Sequence, residues 1–184
     1  MLVALSPDDL DPDFAEILQT QRYAPGPSIE GVVVHTLREH VDESGTLVEL
    51  GRFSEVGELL DLPGFVPRQL NWSRVEPGAV KAWHLHLHQD DVWFVPPQGR
   101  LLAGLSDTRA DSPTHGVLMR LVLGAGRAQL VRVPRGVAHG VANLWTTGSD
   151  LIYLVDQTFD PTAPDEHRLP WDAFGEEFWA LRRG

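Results

Sequence analysis

At 184 residues and 20.4 kDa the chain is about one domain's worth, and 42% hydrophobic against 22% charged residues gives it a core to bury. Its formal net charge of −11, from 15 basic and 26 acidic residues, excludes a general DNA or RNA binder, which needs a basic surface to neutralise phosphates. Cysteine is absent, which excludes disulfides, thiolate catalysis and Cys-ligated metal centres. No run approaches the roughly 18 apolar residues of a membrane helix. Met1 to Leu10 lacks the basic flank and apolar stretch of a secretory signal. The expectation is a cytoplasmic protein that engages neither membrane nor nucleic acid. Lys81 is the only lysine, so 14 of the 15 basic residues are arginine, and a few of these suffice to hold one diphosphate.

In chain order, Ser6-Pro7-Asp8-Asp9 reads as an N-cap with proline at the first helical position, followed by Leu10, Phe14, Ile17 and Leu18 on one helical face. Tyr23-Ala-Pro-Gly-Pro27 is a linker. Short β-branched or aromatic runs then alternate with Gly and Pro, predicting strands over 30–37, 45–53, 67–75, 79–88, 91–96, 99–106, 116–123, 128–134, 138–146 and 150–158. Many short strands at near-regular spacing indicate an all-β sandwich or barrel. The acidic run Asp160 to Glu166, broken by Pro161 and Pro164, reads as a solvated loop. A second short helix is expected over 171–181, with Phe174, Phe178 and Leu181 on one side. The division is thus 1–27 N-terminal helix and linker, 28–160 β core and 161–184 C-terminal loop and helix, all in one domain. Trp72, Trp83, Trp93 and Trp145 are expected in core or dimer packing, Arg109 in a structural ion pair, and His35, His40, His115 and His167 on the surface.

The most informative stretch is Trp83-His84-Leu85-His86-Leu87-His88. Alternation along a strand puts the three imidazoles on one face and Trp83, Leu85 and Leu87 on the other. Three imidazoles in a row are poor core filler, since each has two ring nitrogens to satisfy. His88, near the strand end, is equally explained as solvated. Downstream, Pro134-Arg-Gly136-Val-Ala-His139-Gly-Val-Ala-Asn143 turns into a strand whose start presents His139.

Together these two stretches resemble the cupin motifs. Gly78, His84, His86 and Gly99 fit the first, with Asp91 where Glu is expected, and Pro134, Gly136, His139 and Asn143 match the second. The resemblance implies an antiparallel jelly-roll barrel. In metal-binding cupins the equivalent residues hold one divalent transition metal, which here means His84, His86, Asp91 and His139, with Asp90 an equally placed carboxylate. The alternative is imidazoles that transfer protons or bind a ligand with no metal.

Further motifs resemble one branch, the dTDP-4-dehydrorhamnose 3,5-epimerase family and its sugar-nucleotide relatives. They are Gly31-Val-Val-Val-His35, Asp42-Glu-Ser44-Gly45 with Glu49, Gln69-Leu-Asn71-Trp-Ser73, Lys81-Ala-Trp-His84, Asp107-Thr-Arg109-Ala-Asp-Ser112-Pro-Thr114-His-Gly116, Val133-Pro-Arg-Gly-Val-Ala-His139-Gly140, Leu151-Ile-Tyr153 and Trp171-Asp172. The resemblance implies a cofactor-independent epimerase or isomerase of a nucleotide-diphospho-4-keto-6-deoxy sugar. His84 would take the proton next to the ketone, Tyr153 would return one from the opposite face, and Lys81 would stabilise the enolate. Gln69, Asn71, His86 and His139 would bind substrate, with Glu49 near the base. A homodimer is implied as well, because family members exchange N-terminal strands.

Several residues depart from the family pattern. Ser44 stands where the family has Arg, the family's second catalytic Lys aligns near Val92, and its C-terminal Ser-x-Lys-Asp segment, source of the carboxylate that orients the base, is not found. Glu76, Asp90 and Asp91 are the substitutes considered for that carboxylate. His86 makes a His-x-His like that of the sibling 3,4-ketoisomerases. Strict alternation also sets Lys81 opposite His84, so a bulge between them is required for both to reach one sugar. A metal-dependent cupin enzyme (an oxygenase or a metal-assisted sugar isomerase) and a non-catalytic sugar-nucleotide-binding relative are the competing expectations, as is a purely structural Tyr153 or a Gln69 and Asn71 that only cap the sheet edge.

Overall fold

A computed structural model describes residues 4–21 and 23–182. Twelve strands follow in chain order: β1 (Val33–Thr36), β2 (Glu39–Asp42), β3 (Gly45–Val48), β4 (Gln69–Val75), β5 (Val80–Leu85), β6 (Asp91–Phe94), β7 (Arg100–Asp107), β8 (Leu118–Gly124), β9 (Gln129–Val133), β10 (Val137–Ala142), β11 (Ser149–Val155) and β12 (His167–Arg168). Two five-stranded antiparallel sheets, ordered β1-β9-β6-β11-β4 and β12-β5-β10-β7-β8, face each other as a jelly roll, and β2-β3 forms a separate hairpin. All ten expected strands form. The two that lacked a signal are β2, four exposed residues without an apolar face, and β12, only two residues long.

Period-two alternation decides which side chains meet. Between the sheets lie Val75, Trp93, Leu101, Leu105, Val131 and Val141. On β6 the intervening Val92 and Phe94 point outward and pack beneath Leu59, Leu62 and Phe65. On β5, Trp83 points outward into a cluster with Leu102, Phe178 and Trp179 from the C-terminal segment. Its ring meets Trp179 at 4.7 Å and Phe174 edge-on at 4.8 Å between centroids. Trp83 and Trp93 are therefore core, whereas Trp72 stays exposed on the outer face of edge strand β4.

Both helices are shorter than expected. Ser6 caps a single 3-10 turn, Pro7–Asp9, through reciprocal bonds with Asp9. Pro12, lacking an N–H, cannot extend that turn, so a separate α1 (Pro12–Ile17) starts with Asp11 as its N-cap. Its apolar residues Phe14 and Ile17 are exposed. At the other end, Gly175 at φ 93° interrupts the run, and only the 3-10 turn Glu176–Trp179 forms. It buries Phe178 and Trp179 but leaves Leu181 exposed, contrary to the helical face expected over 171–181.

Arg109 is structural, as anticipated. Its guanidinium donates to both carboxylate oxygens of buried Asp107 at 2.8 Å and to the Glu30 carbonyl at 2.7 Å. Asp107 also accepts from the Ser112 and Thr114 hydroxyls at 2.5 and 2.6 Å. These bonds, the Arg109 pair first, hold the Asp107 carboxyl far below the usual carboxylate range. The Asp-x-Arg-x2-Ser-Pro-Thr motif is thus a clamp that ties the turn after β7 to the start of the barrel.

Candidate active site

A cavity of about 880 Å³ opens between the sheets, within the size range of small-molecule sites. β4 contributes Gln69, Asn71 and Ser73, its inward-facing positions, and β11 contributes Tyr153 from the strand alongside. The opposite wall carries Lys81, His84, His86 and His139, and the segment from Gln157 to Arg168 closes one side. Eight of the residues expected at the site, Lys81, His84, His86, Asp91, His139, Tyr153, Gln69 and Asn71, thus line one cavity.

The required bulge is present. Along β10, His139 is paired with His84 and Val141 with Lys81, so two steps on β10 match three on β5. The extra residue lets Lys81 and His84 share the cavity while Trp83 between them turns outward. Gly140 makes this possible. A Cβ there would lie 2.4 Å from the Ala82 Cβ and 2.7 Å from the Lys81 carbonyl oxygen. Lys81 Nζ donates to the Ser73 hydroxyl at 2.8 Å across the cavity.

The partner of His84 is a residue that sequence reasoning missed. His84 Nδ1 bonds Glu166 Oε1 at 2.5 Å. Glu166 belongs to the run read as a solvated loop, and none of the three substitutes considered serves in its place. Two pairs of β12 with β5, His167 to Leu85 and Arg168 to His84, bring it there from 82 residues away. The hydrogen bond to His84, ahead of the opposing effect of burial, draws the Glu166 carboxyl down to about 2. Neighbouring Asp165 accepts the backbone N–H of Leu87, His88 and Gln89 at 2.7 to 3.0 Å. This acidic run therefore straps the C-terminal segment to the histidine strand. The detectable signal was the chemistry itself: a histidine base needs an acceptor on its second nitrogen.

His86, Asp91 and His139 are buried together, at 6%, 4% and 4% exposure. Each Asp91 oxygen lies 3.8 Å from one imidazole Nε2, Oδ1 from His86 and Oδ2 from His139. Burial above all pushes the His139 imidazole down to about 4, so it is neutral at pH 7. Asp90 is not an equivalent carboxylate. It points the other way, to Arg132 at 2.8 Å and Arg135 at 2.9 Å. His88 is exposed at the rim of the cavity.

Tyr153 is half-buried, and burial raises its phenol, with the charges of Asp91 and Glu166 adding to the effect. It packs on the inter-sheet core and also faces the cavity, so both readings of this residue describe part of its surroundings. Gln69 and Asn71 bond each other at 2.8 Å, and Gln69 accepts the Phe159 N–H at 2.9 Å. Glu49 lies outside this cavity, exposed and paired with Arg52 at 2.6 Å. Val92, near which the family's second lysine aligns, faces the outer cluster, so Asp91 and Trp93 are the β6 residues that reach the cavity.

With this geometry in place, three comparisons bear on the chain. The dTDP-4-dehydrorhamnose 3,5-epimerase family model matches residues 27–175. The chain is 40% identical over 144 residues to the spore coat polysaccharide biosynthesis protein SpsL of Bacillus subtilis (strain 168), covering 78% of this chain and 91% of that protein. It is 36% identical over 146 residues to the probable low-salt glycan biosynthesis epimerase Agl13 of Haloferax volcanii, covering 79% and 90%. Among solved structures, a dTDP sugar isomerase from Desulfovibrio desulfuricans G20 superposes with a TM-score of 0.68 at 29% identity, covering 84% of this chain and 91% of that one. The motifs spread along the strands, the jelly roll and the span of these matches agree: the chain belongs to the dTDP-4-dehydrorhamnose 3,5-epimerase family.

Proposed function

We propose that this protein is a cofactor-independent epimerase of a nucleotide-diphospho-4-keto-6-deoxy sugar, with His84 as base and Tyr153 as acid. The observation that carries the reading is the His84–Glu166 bond inside the cavity that Tyr153 also lines. A carboxylate on Nδ1 makes that nitrogen the donor and leaves Nε2 bare to accept a proton. It also stabilises the imidazolium that forms.

A C–H beside the ketone is acidic because the carbanion delocalises onto the carbonyl oxygen. His84 Nε2 takes that proton, and the electron pair moves into the enolate. Lys81, a cation on the His84 wall of the cavity, offsets the charge developing on oxygen. Tyr153 sits on the facing sheet and returns a proton to the other face, which inverts the carbon. Its raised pKa keeps the phenol protonated at neutral pH and so competent to donate. Solvent then restores the phenol, and His84 releases the proton it took. Gln69 and Asn71, on β4 beside Tyr153, hold the sugar nucleotide, with His86 and His139 behind the sugar.

The same reading makes the protein a cytoplasmic homodimer. Exposed apolar residues on β1 (Val33, Val34), on the β2-β3 hairpin (Val41, Leu47) and on the outer face of β4 (Leu70, Trp72) support the association. Glu49 lies outside the cavity of its own chain, so its contact with a ligand would be made in the partner's cavity.

The test is conversion of dTDP-4-keto-6-deoxyglucose followed by NMR. Wild type is expected to form a product inverted at C3, C5 or both, and His84→Asn and Tyr153→Phe to form none above background. Unchanged substrate with wild type, or full turnover by His84→Asn, would overturn the assignment.

A further inference from the structure

We infer that the outer face of β7 and β8 is a docking site for the acidic, apolar N-terminal segment, residues 4–21, of a second copy of this chain. On β7, Leu101, Ala103 and Leu105 fill the core, so the alternate residues Arg100 and Leu102 point outward. Val122 of β8 pairs with Leu102, and Arg120 stands two residues before it on the same face. A groove of about 240 Å³ lies over Leu102, Val122, Leu144 and Trp145, bounded by Arg120, Leu181 and Arg182. Further guanidinium groups gather beside it. Arg100 lies over the Trp145 ring at 5.1 Å, and Arg127 donates to the Val122 carbonyl at 2.7 Å. Among the described residues none of these four arginines pairs with a carboxylate, whereas Arg74, Arg109, Arg132 and Arg135 all do. Arg120 Nη2 donates to the Ala180 carbonyl at 2.8 Å, but Nη1 is buried with no partner among the described residues. Burial, and then the charge of Arg182, pushes the Arg120 guanidinium below its ordinary value. A desolvated cation with an unused N–H, beside a second cation, is an unfavourable arrangement that a carboxylate relieves.

The same chain carries the complement of this groove. Residues 4–21 contain Asp8, Asp9, Asp11, Asp13 and Glu16 and no basic residue. Phe14 and Ile17 on α1, with Leu18 just after it, form one apolar strip at helical spacing, and each is more than half exposed. Asp13 stands one turn from Ile17 at the edge of that strip. Residues 23–28, which lead from the segment to the barrel, are exposed and without regular structure, and Pro25 and Pro27 favour an extended path there. In its own chain the segment leaves its apolar strip in water, so the occupant of the groove is another copy. Copies that each carry a net charge of −11 repel overall, and a lasting contact between them needs locally opposite charge. An acidic strip against an arginine groove supplies it. The segment precedes the family-matched residues 27–175, and neither surface lines the substrate cavity. Failure of this contact and failure of the proton-transfer reading are therefore distinguishable.

The absence of native cysteine allows a direct test by engineered disulfides. Phe14→Cys and Leu181→Cys variants are produced together in one cell and oxidised after purification. Non-reducing electrophoresis and peptide mass analysis then read the links. A disulfide joining position 14 of one chain to position 181 of another is the expected main product. Adding Asp13→Lys and Glu16→Lys to the first variant, or Arg100→Glu to the second, should cut its yield by about tenfold. All three residues are exposed, so the reversals spare the core. Lysines beside the thiol at position 14 would by themselves make it more reactive, so a lower yield reports docking. No such link between chains would overturn the proposal, as would a yield that the charge reversals leave unchanged. A doubly substituted Phe14→Cys/Leu181→Cys protein that links only within one chain would overturn the second copy as the occupant.

Discussion

The pairing of His84 with Glu166 determines what the cavity can do. A histidine in a cavity is chemically ambiguous until its second nitrogen has a partner, and here a carboxylate at 2.5 Å settles which nitrogen is free. The same pair makes stability depend on pH. The Glu166 carboxyl titrates near 2 in the folded chain against 4.5 for an ordinary glutamate. A folded value below the unfolded one means that the contribution is fully present above about 4.5. It is lost as the pH falls from there toward about 2. Denaturation measured at stepped pH should therefore show wild type losing more stability across that window than Glu166→Gln. Parallel losses in the two proteins would mean that the pair contributes nothing to folding. Of the residues in this site, His84, His86, His139 and Tyr153 were legible because their motifs sit on strands with clear alternation. Glu166 was not, since two residues of β12 are too short for a periodic signal and proline-broken acidic runs usually face water.

At the scale of elements, the bulge in β5 reconciles two demands on one strand. Trp83 must point outward to anchor the C-terminal segment, while Lys81 and His84 must both point inward. Gly140 on β10 and its cross-strand partner Gly104 on β7 separate packing from function. A Cβ on Gly104 would meet the rings of Phe178, Trp179 and Trp83 at 2.4 to 2.8 Å, in the outer cluster. A Cβ on Gly140 would press on the bulged backbone itself. Both alanine variants should lose stability, on the order of 1–3 kcal/mol as overpacked sites do. Only Gly140→Ala should also lose activity out of proportion to its folded fraction. Urea denaturation beside turnover distinguishes the two, and equal specific activities per folded molecule would mean that the bulge does not position Lys81 and His84. The need for this bulge was readable from the sequence, because strict alternation put the two residues on opposite faces. What allows it, the pairing of β5 with a glycine on β10, is a long-range fact that no local pattern carries.

For the molecule as a whole, the ten strand positions were legible from short β-branched and aromatic runs between Gly and Pro, whereas their order in the two sheets carries no local signal and the helices were over-read. The apolar spacings at 10–18 and 171–181 are helical in form, yet Pro12 and Gly175 break the backbone in both places. On the proposed homodimer, the exposed apolar surface is where two copies would associate. Leu70 and Trp72, 66% and 65% exposed on an edge strand, are costly to leave in water in a single copy. Sedimentation should find wild type dimeric and Trp72→Glu shifted toward monomer; a monomeric wild type would remove the dimer from the account. The whole proposal still turns on proton transfer between the two walls of one cavity, and solvent exchange reads that directly. Chelator-treated wild type and Glu166→Gln would be incubated with dTDP-4-keto-6-deoxyglucose in D2O and followed by NMR at C3 and C5. Wild type should introduce deuterium at one or both carbons, and Glu166→Gln should do so more slowly by about 10²- to 10⁴-fold. Absence of deuterium at both carbons with wild type, or equal rates for the two proteins, would contradict it.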